Sequence, residues 1–162
     1  MDFTALLLVV NMYLHFTPHT SHLTPHYLTS GITCKIIKVT NLIYIAGGGA
    51  AGALLRYGVS NGIYVLIGRG FPYGTLTVNI LGSLLMGFLY VLMIERMDVG
   101  VHWRAALMVG MLGAFTTFST FSLETLNLLE AGDHLKAGVN IMLSVSLCII
   151  GCWVGMIAGR QI

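Results

Sequence analysis

Three stretches of this sequence carry no charged side chain over a length that matches a lipid bilayer: residues 75–94 (20 residues), 105–123 (19) and 137–159 (23). At 1.5 Å rise per residue, a helix of about 20 residues crosses the ~30 Å hydrocarbon core. A weaker stretch precedes them. Residues 40–55 are uncharged and glycine-rich, Arg56 interrupts, and residues 57–68 resume the pattern. The connections are short, at residues 68–72, 95–104 and 130–136, so no loop can house a soluble catalytic domain. Charged residues make up only 9% of the chain, against roughly 25% in a soluble domain. Mean hydropathy is +0.85. That much apolar surface cannot be hidden in water behind so few charges, which excludes a soluble enzyme or a disordered chain. A net charge of +2 offers no basic patch for nucleic acid. The sequence therefore predicts an all-α membrane protein of four transmembrane helices running up and down.

The first forty residues differ. Residues 3–10 are apolar but too short to span. They lack a preceding basic residue, and Asp2 has the wrong sign for a signal peptide. The expectation is a leader over residues 1–40, disordered or not native to the protein, ahead of a channel-sized helical domain over 41–162. His15, His19, His22 and His26 fall at helical spacing, which raises metal binding. Pro18 and Pro25 argue against the continuous helix that would need. Cys34, Cys148 and Cys152 form neither a CxxC pair nor a disulfide framework. Cys148 and Cys152, one turn apart, read as small buried or pore-facing side chains.

Charge is nearly balanced across the membrane. One side carries Lys35, Lys38, Arg96, Arg104 and Arg160, the other Arg69 and Lys136; without the leader the count is three against two. The positive-inside rule then sets almost no orientation, and such a chain can insert both ways up.

Polar groups inside a membrane need partners or a purpose. Arg56 is either a snorkelling, helix-packing arginine or an anion-attracting charge near a vestibule. Asn79 either bonds a neighbouring helix or offers its amide hydrogens to an anion. The third helix, from Gly110 through Gly113, Thr116, Phe118 and Phe121 to Glu124, crowds glycine and hydroxyls into mid-membrane. That composition suits a helix broken there, with carbonyls exposed on one side and amides on the other, the carbonyls able to coordinate a cation. Phe118 and Phe121, three apart, share a face. Beside Ser119 and Thr120 they place the positive edges of their rings next to hydroxyls, where a small hard anion can rest without a fixed positive charge to trap it.

These residues resemble the Fluc (CrcB) family of fluoride channels over roughly residues 42–160. The markers are the run from Gly48, Gly49 and Gly52 to Arg56-Tyr57, the segment Gly74-Thr75-Leu-Thr-Val-Asn79, and Gly113 to Glu124 with its Thr-Thr-Phe-Ser-Thr-Phe-Ser core. The resemblance implies an antiparallel, dual-topology homodimer in the cell inner membrane, exporting fluoride passively through two pores. It implies a structural sodium ion (Na+) at the dimer centre, held by the carbonyls of Gly113 and Thr116. It assigns the fluoride pore to Asn79, Phe118, Ser119, Thr120, Phe121 and Ser144, and leaves Arg56 and Glu124 to vestibule or packing roles. Its partners are fluoride, a second copy and lipid. Asn140 stands where relatives often carry Tyr, and Cys148 where some carry Ser or Gly, which unsettles the outer fourth-helix track. The leader has no family counterpart.

Two rivals are weighed. A small multidrug-type transporter needs an essential carboxylate in its first helix, and here the acid near the membrane centre is Glu124, on the third. A structural membrane subunit would not need a broken polar helix beside Asn79. No nucleophile–base constellation supports an enzyme.

Overall fold

In a bilayer the backbone has no hydrogen-bond partner but itself, so long uncharged runs wind into helix. The structure is a computed structural model that describes residues 30–97 and 99–162, with residues 30–38 as backbone only. The chain divides into units 1–33 and 34–162. Among the described residues, four helices are long and apolar enough to cross a membrane: the span Val39–Ile67 of α1 (Ser30–Ile67), α2 (Tyr73–Arg96), α3 (Val101–Glu130) and α4 (His134–Gln161). The protein is thus an all-α, multi-pass membrane protein.

Each helix runs beyond its uncharged stretch. Arg96, Arg104, Lys136 and Arg160 fall within helix ends, and α1 passes through Arg56 without a break, as long cationic stems lie along apolar surface. The four histidines of the leader, His15, His19, His22 and His26, lie outside the described residues. From Ser30 onward, the segment set apart as leader forms the first turns of α1. α1 ends at Gly68, whose φ of +92° needs a residue without Cβ; its N–H bonds the Tyr64 carbonyl at 3.0 Å.

Glycine decides how closely the helices approach. A Cβ at Gly87 of α2 would lie 2.1 Å from the Cys152 carbonyl oxygen of α4, and one at Gly155 of α4 2.0 Å from that of Leu84. The α2 and α4 backbones therefore touch, the small-residue packing that lipid-embedded helices use. α1 crosses α3 in the same way: a Cβ at Gly48 or Gly52 would meet the carbonyl oxygen of Ala106 or Met111, each at 2.1 Å. At one end Arg160 pairs with Glu95 at 3.4 Å, and Arg96 Nη2 donates to the Arg160 carbonyl, tying the end of α2 to that of α4.

α3 is irregular. Its winding widens to π-type over Ala105–Leu112 and tightens over Gly113–Phe115. Thr116 (φ −109°, ψ 114°) and Thr117 (φ −122°, ψ 104°) are extended, and helix resumes over Phe118–Glu130.

Candidate functional site

The two extended residues of α3 leave peptide groups that a continuous helix would satisfy. Asn79 of α2 meets both backbone groups of Thr117, one from each peptide that flanks it: its Oδ1 accepts from the Thr117 N–H at 2.7 Å, and its Nδ2 donates to the Thr117 carbonyl at 3.3 Å. In an uninterrupted helix the Thr117 N–H would bond the Gly113 carbonyl, four residues back. The Thr117 hydroxyl in turn accepts from the Thr120 N–H at 3.2 Å, capping the resumed helix. That N–H would otherwise bond the Thr116 carbonyl. Asn79 and Thr117 thus take the donors that a continuous helix would give the Gly113 and Thr116 carbonyls, and the Ala114 and Phe115 carbonyls between them lose theirs at the restart of the helix. Thr116 Oγ1 donates back to the Leu112 carbonyl at 3.1 Å, so its hydroxyl turns away. The freed oxygens are hard donors of the kind that hold alkali or alkaline-earth cations. Among the described residues no group of three or more His, Cys, Asp or Glu gathers as a metal site.

Beyond the interruption the hydroxyls cluster. Thr117 Oγ1 lies 2.9 Å from Thr120 Oγ1 and 3.2 Å from Ser119 Oγ. The Phe118 and Phe121 rings stand 5.4 Å apart at 47°, yet their surroundings differ. Phe121 is buried at 9% exposure, while Phe118 is 76% exposed, and Ser119 and Thr120 are exposed beside it. On α4, Asn140 is 1% exposed and donates to Thr125 Oγ1 at 2.8 Å. One turn on, buried Ser144 has no partner for its hydroxyl.

Glu124 lies away from the interruption. It lines a cleft of about 300 Å³ with Tyr64, Arg69, Phe71, Pro72 and Asn127, at the end where α1 hands over to α2 rather than near the membrane centre. Its Oε1 accepts from the Tyr64 hydroxyl at 2.9 Å, and its Oε2 is buried without a partner. Arg56, half-buried on α1, has no hydrogen-bond or ion-pair partner among the described residues. The structure therefore brings together Asn79, Gly113, Thr116, Phe118, Ser119, Thr120 and Phe121 and sets Glu124 apart in a cleft of its own. Cys148 and Cys152 are half-buried and unpaired.

Sequence reasoning passed over Thr117, although it sits inside the quoted motif; its type, three residues before Thr120, is the usual cap signal. The Asn140–Thr125 and Tyr64–Glu124 bonds join distant segments and leave no local signal.

Residues 43–156 match the family model described as CrcB-like protein, Camphor Resistance (CrcB). A protein of Methylococcus capsulatus named fluoride-specific ion channel FluC is 57% identical over 122 residues, 75% of this chain and 54% of that protein; the chain thus spans about half its length. Proteins of the same name from Coxiella burnetii (52% identical over 123 residues, 99% of that protein) and Geobacter sulfurreducens (44% over 124 residues, 100%) are matched nearly end to end. Four membrane helices in this order, the family match over most of the chain and these identities make it a member of the CrcB-like family.

Proposed function

We propose that the chain is a fluoride-selective channel that exports the ion passively across the cell inner membrane, working as an antiparallel, dual-topology homodimer. The observation that carries this reading is the paired use of Asn79 and Thr117 to hold α3 open beside exposed donors. Relatives named as fluoride channels share this sequence at 44–57% identity. Ser119 and Thr120 are exposed on a single chain, their hydroxyls gathered on that of Thr117; a second copy covers them and completes a track.

Fluoride holds its water tightly, so a pore must replace that shell with strong donors. Asn79 has one amide hydrogen left after bonding Thr117. Ser119, Thr120 and the partnerless Ser144 hydroxyl add donors, and the tilted rings of Phe118 and Phe121 present positive edges. None of these is a fixed cation, so none traps the ion. The carbonyls of Gly113 and Thr116, stripped of their helical donors, fit a structural sodium ion shared between two copies. Such an ion, when bound, supplies a positive charge that lowers the cost of an anion nearby in a low dielectric. Arg56 serves the vestibule or helix packing.

A small multidrug-type transporter is disfavoured because the described span of α1 contains no carboxylate. The test is efflux from proteoliposomes loaded with fluoride or chloride. Fluoride efflux well above chloride supports the reading; equal rates reject it.

A further inference from the structure

The cleft around Glu124 holds two opposite charges that are not paired with each other. Glu124 and Arg69 line the same space of about 300 Å³, yet the ion pairs among the described residues are Lys136–Asp133 and Arg160–Glu95. Tyr64 stands between them. Its hydroxyl donates to Glu124 Oε1 at 2.9 Å, and its ring lies under the Arg69 guanidinium, 5.2 Å from carbon to centroid. A guanidinium over an aromatic face is held by the ring quadrupole without losing its charge. A carboxylate partner would cancel that charge instead. Gly70, Phe71 and Pro72 wall the cleft on the loop side, and Asn127 and Leu128 continue it along α3.

From this geometry we infer that Tyr64 keeps Arg69 apart from Glu124, so that Arg69 acts as an uncancelled cation drawing small anions to this mouth of the molecule. This goes beyond the pore residues and rests on the channel reading. The device is electrostatic. A cleft with low-dielectric walls focuses the field of a charge and raises the local concentration of the opposite ion. Glu124, about 10 Å along α3 from Thr117 at 1.5 Å per residue, lies between this mouth and the hydroxyl cluster. Without Arg69 it would face incoming anions alone.

The experiment measures fluoride efflux from vesicles of neutral phosphatidylcholine, with ionic strength varied by an impermeant organic salt. For the unaltered chain, flux at low fluoride should fall about threefold between ~10 mM and ~1 M salt, as the Debye length shrinks from about 30 to about 3 Å. Arg69→Gln should lose about threefold at low salt and converge on the unaltered chain at high salt. Arg69→Lys, which keeps the charge, should retain most of the salt dependence. Tyr64→Phe keeps the ring but releases Glu124 to pair with Arg69, and should behave like Arg69→Gln. Flux of the unaltered chain that ignores ionic strength overturns the inference. So does an Arg69→Gln loss by the same factor at every salt concentration, which would mark a packing role. Absence of fluoride-selective flux in the unaltered chain would instead sink the channel reading, and this inference with it.

Discussion

Asn79 and Thr117 hold each other through both ends of one carboxamide and both backbone groups of one residue, at 2.7 and 3.3 Å across 38 residues of sequence. The pair turns two extended threonines into a stable interruption. It satisfies both backbone groups of Thr117, and it occupies the donor that a continuous helix would give the Gly113 carbonyl. A polar side chain that looked like either a packing contact or an anion donor makes the packing contact with one oxygen lone pair and one amide hydrogen, and its second amide hydrogen is left over.

Asn79→Asp keeps the acceptor for the Thr117 N–H but sets an oxygen against the Thr117 carbonyl and adds a negative charge where fluoride should pass. Fluoride flux should drop at least tenfold at neutral pH. Asn79→Ala should also lower thermal stability in detergent by about 1–3 kcal/mol, the penalty for a buried peptide left unsatisfied. Normal flux and stability in both variants would remove the role given to this pair.

Thr117→Val removes the hydroxyl that caps Phe118–Glu130, leaves the Thr120 N–H without its acceptor and loosens the turn that positions the Thr116 carbonyl. The loss should be about 1 kcal/mol from the cap, with a higher sodium concentration needed to keep the dimer assembled. Thr117→Ser should restore both. Thr116→Ser should be mild, because the proposed ligand is a backbone oxygen. Sodium dependence that is unchanged in Thr117→Val counts against the carbonyl site.

Phe118 and Phe121 separate space-filling from ion contact. Volume-conserving swaps to Ile should cost under about 1.5 kcal/mol in stability. If ring edges hold the anion, Phe118→Ile and Phe121→Ile should still lower fluoride flux by tenfold or more. Phe118, 76% exposed on the single chain, should show the smaller stability change. Flux and melting are to be read on the same preparation.

Gly155→Ala places a methyl group 2.0 Å from the Leu84 carbonyl oxygen, against backbone that cannot yield without parting α2 from α4. Destabilisation of about 1–3 kcal/mol is expected from overpacking. Gly138→Ala on the same helix meets nothing within 4 Å and should leave the melting temperature where it was or slightly higher.

The buried bond from Asn140 to Thr125, 2.8 Å long, predicts a non-additive pair. Thr125→Val alone leaves the Asn140 amide without its acceptor and should lower stability by about 1 kcal/mol, given the modest worth of such bonds between membrane helices. Adding Asn140→Leu should recover part of that loss, because an apolar pair leaves nothing unsatisfied.

Four helices, their order and their membrane setting were legible in the sequence, because length and lack of charge are one-dimensional properties and a bilayer accepts little else but helix. The glycines at 48 and 52 and the hydroxyl-rich run around Thr116 were also visible as composition. Other features depended on which atoms face each other across the bundle. Asn79 could be placed on a helix, but only the fold shows that its carboxamide grips the Thr117 peptide. Phe118 and Phe121 share a spacing, yet packing against the rest of the chain covers one ring and leaves the other bare. Glu124 looked like an acid at the membrane centre until the turn after α1 brought Tyr64 and Arg69 around it at one end. Hydrogen bonds between residues 38 or 60 positions apart leave no periodicity to read, because their geometry is set by helix crossings that the glycines permit and the whole bundle fixes.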